Sequence, residues 1–461
     1  MLFSSPVFFV FFAIYYLLHR VTPLRFRPYL IIFGSTVFYA WWKIEFVWIP
    51  WLLMAIAFWG VQWMEQAAAP ASRKSRAVLV ITVIFLPLVF FKYTNFFYQD
   101  VIGSLFGIHG KLLDLPLPLG VSFVTFTLTA YIVDIYRREF KARHRPSTLL
   151  QYVLFFPHLI AGPILRPFEL IPQLENPRPA RRTQYSAAIA LFTIGLAKKL
   201  IFADQIAEAV DGVYRSGSIP DAPHALLALY GFSVQIYCDF SGYTDMAIGL
   251  AMLLGVRLPN NFARPYGAAS LIDFWRRWHI TLSTWLRDYL YIPLGGSRGG
   301  KWKEFRNVMI TMVLGGLWHG ANWTFVIWGT MHGIGVSAVH FLRRLRWLAV
   351  PKWLAVVVTF HFVTVTWAFF RAPNATRALQ ILSGPFTGSW EATPALLTAQ
   401  MFPILLVAIF FILCRFDDQR RFFWFARHTR REILWPAMIF LWILVITISQ
   451  GSSAKFVYFD F

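Results

Sequence analysis

A chain of 461 residues that is 57% hydrophobic and 18% aromatic, with a mean hydropathy of +0.55, is too apolar for an ordinary soluble protein and reads as a polytopic membrane protein. Its charged residues are few but unbalanced, 43 Lys and Arg against 22 Asp and Glu, for a formal net charge of +21. In a soluble chain that excess would suggest nucleic acid; here the cations sit in short loops between apolar runs and mark the cytoplasmic face, so the expected partner is lipid and not nucleic acid.

The run from Pro6 to Leu18 has no basic stretch before it and no small-residue cleavage site after it, which predicts a retained membrane segment. Arg20, Arg25 and Arg27 place the next loop in the cytoplasm and the N-terminus outside. Tyr29 to Trp42 and Phe46 to Trp63 form a pair returning to Arg73, Lys74 and Arg76. Ala77 to Phe97 crosses outward, and a segment from about Leu117 to Ile135 returns to Arg137, Arg138, Lys141 and Arg145.

Leu149 to Leu165 breaks the alternation. It lies between that cluster and a second one holding Arg166 and Arg182, so both of its ends are expected in the cytoplasm. It also contains Pro157 and Pro163 beside Gly162, which a spanning helix tolerates poorly. A re-entrant segment is expected, with its irregular backbone buried in protein or lining a cavity. His158 within it would either line a cytoplasmic vestibule or make a structural hydrogen bond.

Tyr185 to Ala203 then crosses outward to an acidic loop, Asp204 to His224, and Ala225 to Val256 returns. This second run carries Asp239, Tyr243 and Asp245. Carboxylates inside a span are costly. Six residues apart, the two acids point about 120° away from each other and need not form a pair. Each could hydrogen-bond a neighbouring helix or line a substrate path. Cys238 and Cys414 lie far apart, lack metal-ligand spacing, and read as small buried hydrophobes.

Ser270 with Asp273 has the pattern of a capping box. From there Leu271, Phe274, Trp275, Trp278, Leu282, Trp285 and Tyr289 repeat at helical spacing, with Arg276, Arg277, Arg287 and Asp288 on the other face. One amphipathic helix near the interface is expected, with His279 at the edge of its apolar stripe. The glycine-rich loop from Gly295 to Gly300 lacks a phosphate-binding ending and reads as a mobile turn. After it, Asn307 to Trp318 rises, the chain turns near Gly320 to Asn322, and Trp323 to Leu342 descends. His319 lies roughly 20 Å of helix beyond Arg306, deep within a hydrocarbon layer of about 30 Å. An ionisable side chain at that depth is a functional candidate. Gly315, Gly316 and Gly320 around it permit close approach of a backbone or a substrate. The remaining expected spans are Trp353 to Phe370, Met401 to Cys414 and Ile433 to Ser449, with an external loop over 371–400 and a basic cytoplasmic loop over 415–431.

The segment from Asp273 to Ile292, headed by Asp273-Phe274-Trp275-Arg276-Arg277-Trp278-His279, is followed by Gly315-Gly316-Leu317-Trp318-His319-Gly320-Ala321-Asn322-Trp323. Together they closely resemble the membrane-bound O-acyltransferases. Phe156-Pro157-His158, the stretch from Asp239 to Asp245, and the terminal residues Phe456 to Phe461 narrow the resemblance to the bacterial alginate O-acetylation branch. It implies an all-α polytopic membrane fold of about eleven transmembrane helices with re-entrant segments around a central tunnel. It also implies one integral membrane domain over 1–461 in the bacterial inner membrane.

His319 matches the family's essential histidine and His279 its second. Asp239, Tyr243, Asp245, Trp278, Arg276, Trp318, Asn322 and His158 are the residues expected along the substrate path. The resemblance implies a cytoplasmic thioester donor, acetyl-CoA, with no permanently bound cofactor and no metal. It also implies a periplasmic partner of the SGNH hydrolase-like class that esterifies an exported polymer. Alginate is the first expectation for that polymer, with peptidoglycan, cellulose or D-alanyl transfer to teichoic acid as alternatives. A neutral imidazole can take the proton of an attacking alcohol or carry the acyl group itself, and the sequence leaves both open. A transporter would use broken helices in two corresponding halves, and no internal repeat is present. A non-catalytic export scaffold would need neither histidine.

Overall fold

The computed structural model describes residues 1–107, 112–142, 144–177, 182–345, 350–449 and 456, and among these the chain is helical with no strand. The helices are α1 (Pro6–Val21), α2 (Arg27–Ala40), α3 (Trp48–Glu65), α4 (Pro70–Asn95), α5 (Ser104–Phe106), α6 (Val121–Tyr136), α7 (Pro146–Leu154), α8 (Phe156–Leu159), α9 (Pro167–Glu175), α10 (Arg182–Ala197) and α11 (Asp204–Arg215). They continue as α12 (Ala222–Leu253), α13 (Leu271–Trp275), α14 (Ile280–Leu286), α15 (Lys301–His319), α16 (Trp323–Leu345), α17 (Lys352–Arg371), α18 (Ala375–Thr387), α19 (Thr393–Ala399), α20 (Met401–Leu413), α21 (Gln419–His428) and α22 (Arg431–Ser449).

Among the described residues six helical runs are long and apolar enough to cross a membrane, and α19 with α20, bent by 84°, makes a seventh if the pair is one span. The protein is therefore a multi-pass membrane protein. α1 and α6 are shorter apolar helices. α12 and α15, expected as crossings, do not meet that measure on composition. α15 opens on Lys301, Lys303, Glu304 and Arg306, and α12 carries two aspartates.

The chain forms two compact units, one of residues 1–192 with 247–259 and the other of residues 193–246 with 260–461. In the first, the segment after α6 bears out the expected break. α7 and α8 are 9 and 4 residues long, separated at Phe155 by an extended ψ of 99°. At 1.5 Å per residue neither spans a bilayer. The break seats the Phe156 ring 5.3 Å from Phe38 and 5.4 Å from Tyr15, inside a nest of phenylalanines from α1 and α2. Side chains satisfy the irregular backbone. Phe156 N donates to Ser35 Oγ at 3.2 Å, Tyr152 Oη donates to Leu165 O at 2.8 Å, and His158 Nε2 lies 2.9 Å from Tyr152 O.

In the second unit, two expected loops are helices. The acidic stretch after Ala203 continues through the π-helical turn Lys198–Ala203 into α11, because Ile206, Val210, Val213 and Tyr214 bury one face of it. The loop expected outside after α17 contains α18 and α19. α18 is capped by Asn374, whose side chain accepts from Arg377 N at 2.8 Å, and it is fixed through the Arg377 guanidinium on Val213 O.

The hairpin of α15 and α16 forms as expected, turning at Gly320. Each of its helices packs a glycine against the other, since a Cβ on Gly316 would overlap Phe325 O and one on Gly329 would overlap Met312 O. Gly329→Ala is expected to force the two helices apart and destabilise the protein by about 1–3 kcal/mol, an overpacking cost. Thermal unfolding of the purified variant in detergent measures it; an unchanged transition would refute the close packing.

Candidate functional site

The region expected as one amphipathic helix is broken at its histidine. Ser270 caps α13 as predicted, its Oγ accepting from Asp273 N at 3.2 Å, and Asp273 Oδ2 accepts from Ala269 N at 3.2 Å. α13 ends at Trp275. His279 then adopts a left-handed conformation, φ 43° and ψ 55°, and serves as the N-cap residue of α14. For a side chain with a Cβ this costs about 1–2 kcal/mol, so neighbours must hold it. The loop over 260–264 does so. Ala263 N donates to Arg277 O at 2.9 Å, and Ile280 N donates to Asn261 O at 2.9 Å. The Asn261 side chain, fully buried, meets the histidine itself: Oδ1 lies 3.2 Å from His279 Nδ1 and accepts from Thr281 N at 3.1 Å and Thr281 Oγ1 at 2.9 Å. Periodicity could not reveal this, because the apolar spacing runs on unbroken through a break imposed by a distant loop.

His279 is fully buried, with the Phe240 ring edge-on at 4.7 Å and the Trp318 ring at 6.2 Å. It lies outside the candidate spans, and burial pushes its imidazole down to about 3, so it is neutral at physiological pH. His319 closes α15 and is 5% exposed. Its ring lies 4.9 Å from Trp318, 5.3 Å from Trp328 and 5.2 Å from Phe370. Trp318 thus stands between the two histidines, touching both. The column continues to His332, 4.7 Å from Trp328, whose Nε2 lies 3.0 Å from Thr366 Oγ1. His332, Trp328, Phe370 and Asn261 were not singled out from the sequence. His332 could have been, as a second intramembrane histidine one span away from the first. The arrangement offers a neutral imidazole at His279 and a second buried imidazole at His319 in an aromatic setting, suited to taking up a proton or an acyl group.

The remaining expected residues divide. Trp278 belongs to the wall of this site, 5.0 Å from Trp367 and 5.1 Å from Phe262. Tyr243 is buried, its ring 5.0 Å from Phe456; residues 457–461, part of the terminal motif, lie outside the described residues. Arg276 is exposed. Asn322 caps α16, accepting from Thr324 N at 2.9 Å and donating to Pro373 O at 3.1 Å. His158 belongs to the other compact unit and holds Tyr152 O.

Asp239 and Asp245 are engaged by two consecutive lysines that the sequence reading passed over. Lys199 Nζ lies 2.8 Å from both Asp239 and Asp204, and Lys198 Nζ lies 2.8 Å from Asp245 and 2.7 Å from Asp417. Gln419 Nε2 donates to Asp245 Oδ1 at 2.9 Å, and Tyr237 Oη donates to Asp417 Oδ2 at 2.5 Å. The pairing brings the two backbones close. Gly195 and Gly242 make it reachable: a Cβ on either would lie 2.5 or 2.6 Å from the other's carbonyl oxygen. Both acids thus make the inter-helix bond that was one of their two readings.

The sequence model of the membrane-bound O-acyltransferase family matches residues 29–373, a range that includes both His279 and His319. The chain belongs to that family. This O-acyltransferase is 39% identical over 420 residues to the probable alginate O-acetylase of Azotobacter vinelandii, covering 88% of the chain and 83% of the relative. It is 38% identical over 446 residues to the protein of the same name from Pseudomonas aeruginosa, covering 92% and 82%. It is 36% identical over 422 residues to the peptidoglycan O-acetyltransferase of Helicobacter pylori, covering 83% and 79%.

If the aspartates of α12 hold the acyltransferase together, Lys199→Met should destabilise it by about 3–5 kcal/mol, because it leaves acids 1% and 8% exposed without their cation. Asp239→Asn should lower thermal stability and acyl transfer together. An Asp239→Asn protein with a wild-type unfolding transition and no transfer would instead return this carboxylate to the substrate path.

Proposed function

We propose that this acyltransferase takes an acetyl group from a cytoplasmic thioester, acetyl-CoA, and moves it across the bacterial inner membrane for O-acetylation of an exported polysaccharide. The observation that carries the reading is the pair of buried histidines on either side of Trp318, in a chain whose relatives are named O-acetylases. A hydroxyl is a poor nucleophile at neutral pH. A neutral imidazole that receives its proton during attack on the thioester carbonyl lowers the barrier by the equivalent of about 10²- to 10⁴-fold in rate. An acyl-imidazole formed on the same side chain and then passed to the hydroxyl is the other route open to these residues. A periplasmic acetyltransferase of the SGNH hydrolase-like class is the proposed partner that esterifies the polymer.

Alginate is the first polymer to test, since two of the relatives reported above carry it in their names. Peptidoglycan is the second reading, favoured by the Helicobacter pylori relative. Radiolabelled acetyl-CoA supplied to the purified protein with its partner, in separate assays with alginate and peptidoglycan fragments, tells them apart. His319→Ala at equal expression should lower transfer by about 10²-fold or more, and His279→Ala should lower it by as much or less. Near wild-type transfer by His319→Ala would reduce that histidine to a packing residue.

A further inference from the structure

The hydrogen bonds around His279 have a sense of direction that fixes its protons. Asn261 Oδ1 accepts from Thr281 N at 3.1 Å; a backbone N–H can only donate, so the amide atom facing it is the oxygen. Thr281 Oγ1, at 2.9 Å, donates to the same oxygen. The His279 nitrogen 3.2 Å from that oxygen must then be the one that bears hydrogen, because an unprotonated ring nitrogen and a carbonyl oxygen would face each other lone pair to lone pair. Burial keeps the ring from carrying a second proton. Nε2 is therefore the unprotonated nitrogen, and it meets no hydrogen-bond partner among the described residues.

Among the described residues the ring's aromatic neighbours include Phe240 and Trp318, both uncharged, and the Asn261 side chain is hydrogen-bonded to it. Asn261 is also held from the main chain, since its own carbonyl accepts from Ile280 N. Its amide Nδ2 is buried without a partner among the described residues, a cost that an apolar residue of the same size would avoid.

We infer that Asn261 is a positioning residue for acyl transfer, holding His279 in the Nδ1-protonated tautomer so that its Nε2 lone pair is available to the reaction. The inference rests on the role proposed above for His279. In the base form of that role, the acceptor hydroxyl gives its proton to Nε2 as its oxygen bonds to the thioester carbonyl carbon. The carbon–sulfur bond then breaks, and the departing thiolate takes the proton back from the imidazolium. The products are the ester and the free thiol, and the histidine is unchanged. With the proton on Nε2 instead, the ring offers the reaction a donor where it needs an acceptor.

Three variants and two readouts test this. Solid-state ¹⁵N NMR of [¹⁵N]histidine-labelled protein in nanodiscs, with the His279 signals assigned by their loss in His279→Gln, reports the tautomer directly. Wild type should show Nδ1 protonated, and a protonated Nε2 would overturn the inference whatever the activity. Asn261→Leu, which removes the acceptor while keeping the volume, should lower kcat by between about 10- and 10⁴-fold with little change in KM for the thioester. Asn261→Asp keeps an acceptor facing Nδ1 and should restore most of the rate. Its negative charge favours the imidazolium and raises its pKa, so the acid limb of the rate profile should move to higher pH, a change that loss of packing alone would not produce. Wild-type turnover in Asn261→Leu, with His279→Gln inactive, would sink the positioning role and leave the function of His279 intact. Wild-type turnover in His279→Gln would overturn both.

Discussion

Charge carried into the apolar interior of this protein is answered from inside. Lys198 and Lys199 stand where α10 passes into the π-helical turn, and between them they meet Asp204, Asp239, Asp245 and Asp417. A lone buried ion would be expensive, since burial takes it out of solvent. The pairing ties α12, the turn at Lys198–Ala203, the start of α11 and the segment before α21 into one set of mutual dependences. It can form only because Gly195 and Gly242 let two backbones meet without side chains between them.

The same rule explains the irregular pieces. The broken segment of α7 and α8 gives up helical hydrogen bonds and recovers partners from Ser35, Tyr152 and His158. The left-handed turn at His279 gives up continuity and recovers partners from the loop containing Asn261. At Phe156 the distant partner is Ser35 of α2, and at His279 it is the loop over 260–264. Such breaks are stable as part of a packed unit and would not persist in an isolated peptide.

That difference also decides what could be read in the sequence. Apolar runs, the proline-bearing break near Phe156 and the hairpin turning at Gly320 are local signals, and the structure follows them. His319 was legible because a lone imidazole in an apolar run stands out by composition. The break at His279 was not, since Phe274, Trp275, Trp278, Leu282 and Trp285 keep helical spacing across it, and the break is held by Asn261 and Ala263 from the loop over 260–264. Asp239 and Asp245 drew attention as costly acids, while the two lysines that answer them went unread within a run scored for its apolar residues. Charge balance between neighbouring spans would have exposed the pairing. The acidic stretch from Asp204 reads as a loop by polarity, yet Ile206, Val210 and Val213 give it a buried helical face.

The left-handed backbone at His279 has a consequence for how this position is probed. Most side chains are disfavoured at φ 43°, whereas glycine and asparagine accept such angles. Replacing the histidine with alanine therefore alters the chain's conformational preference and the imidazole chemistry at once, and a loss of activity cannot be credited to chemistry alone. Asparagine at position 279 keeps the backbone's preference while removing the ring, which makes it the control that separates the two contributions.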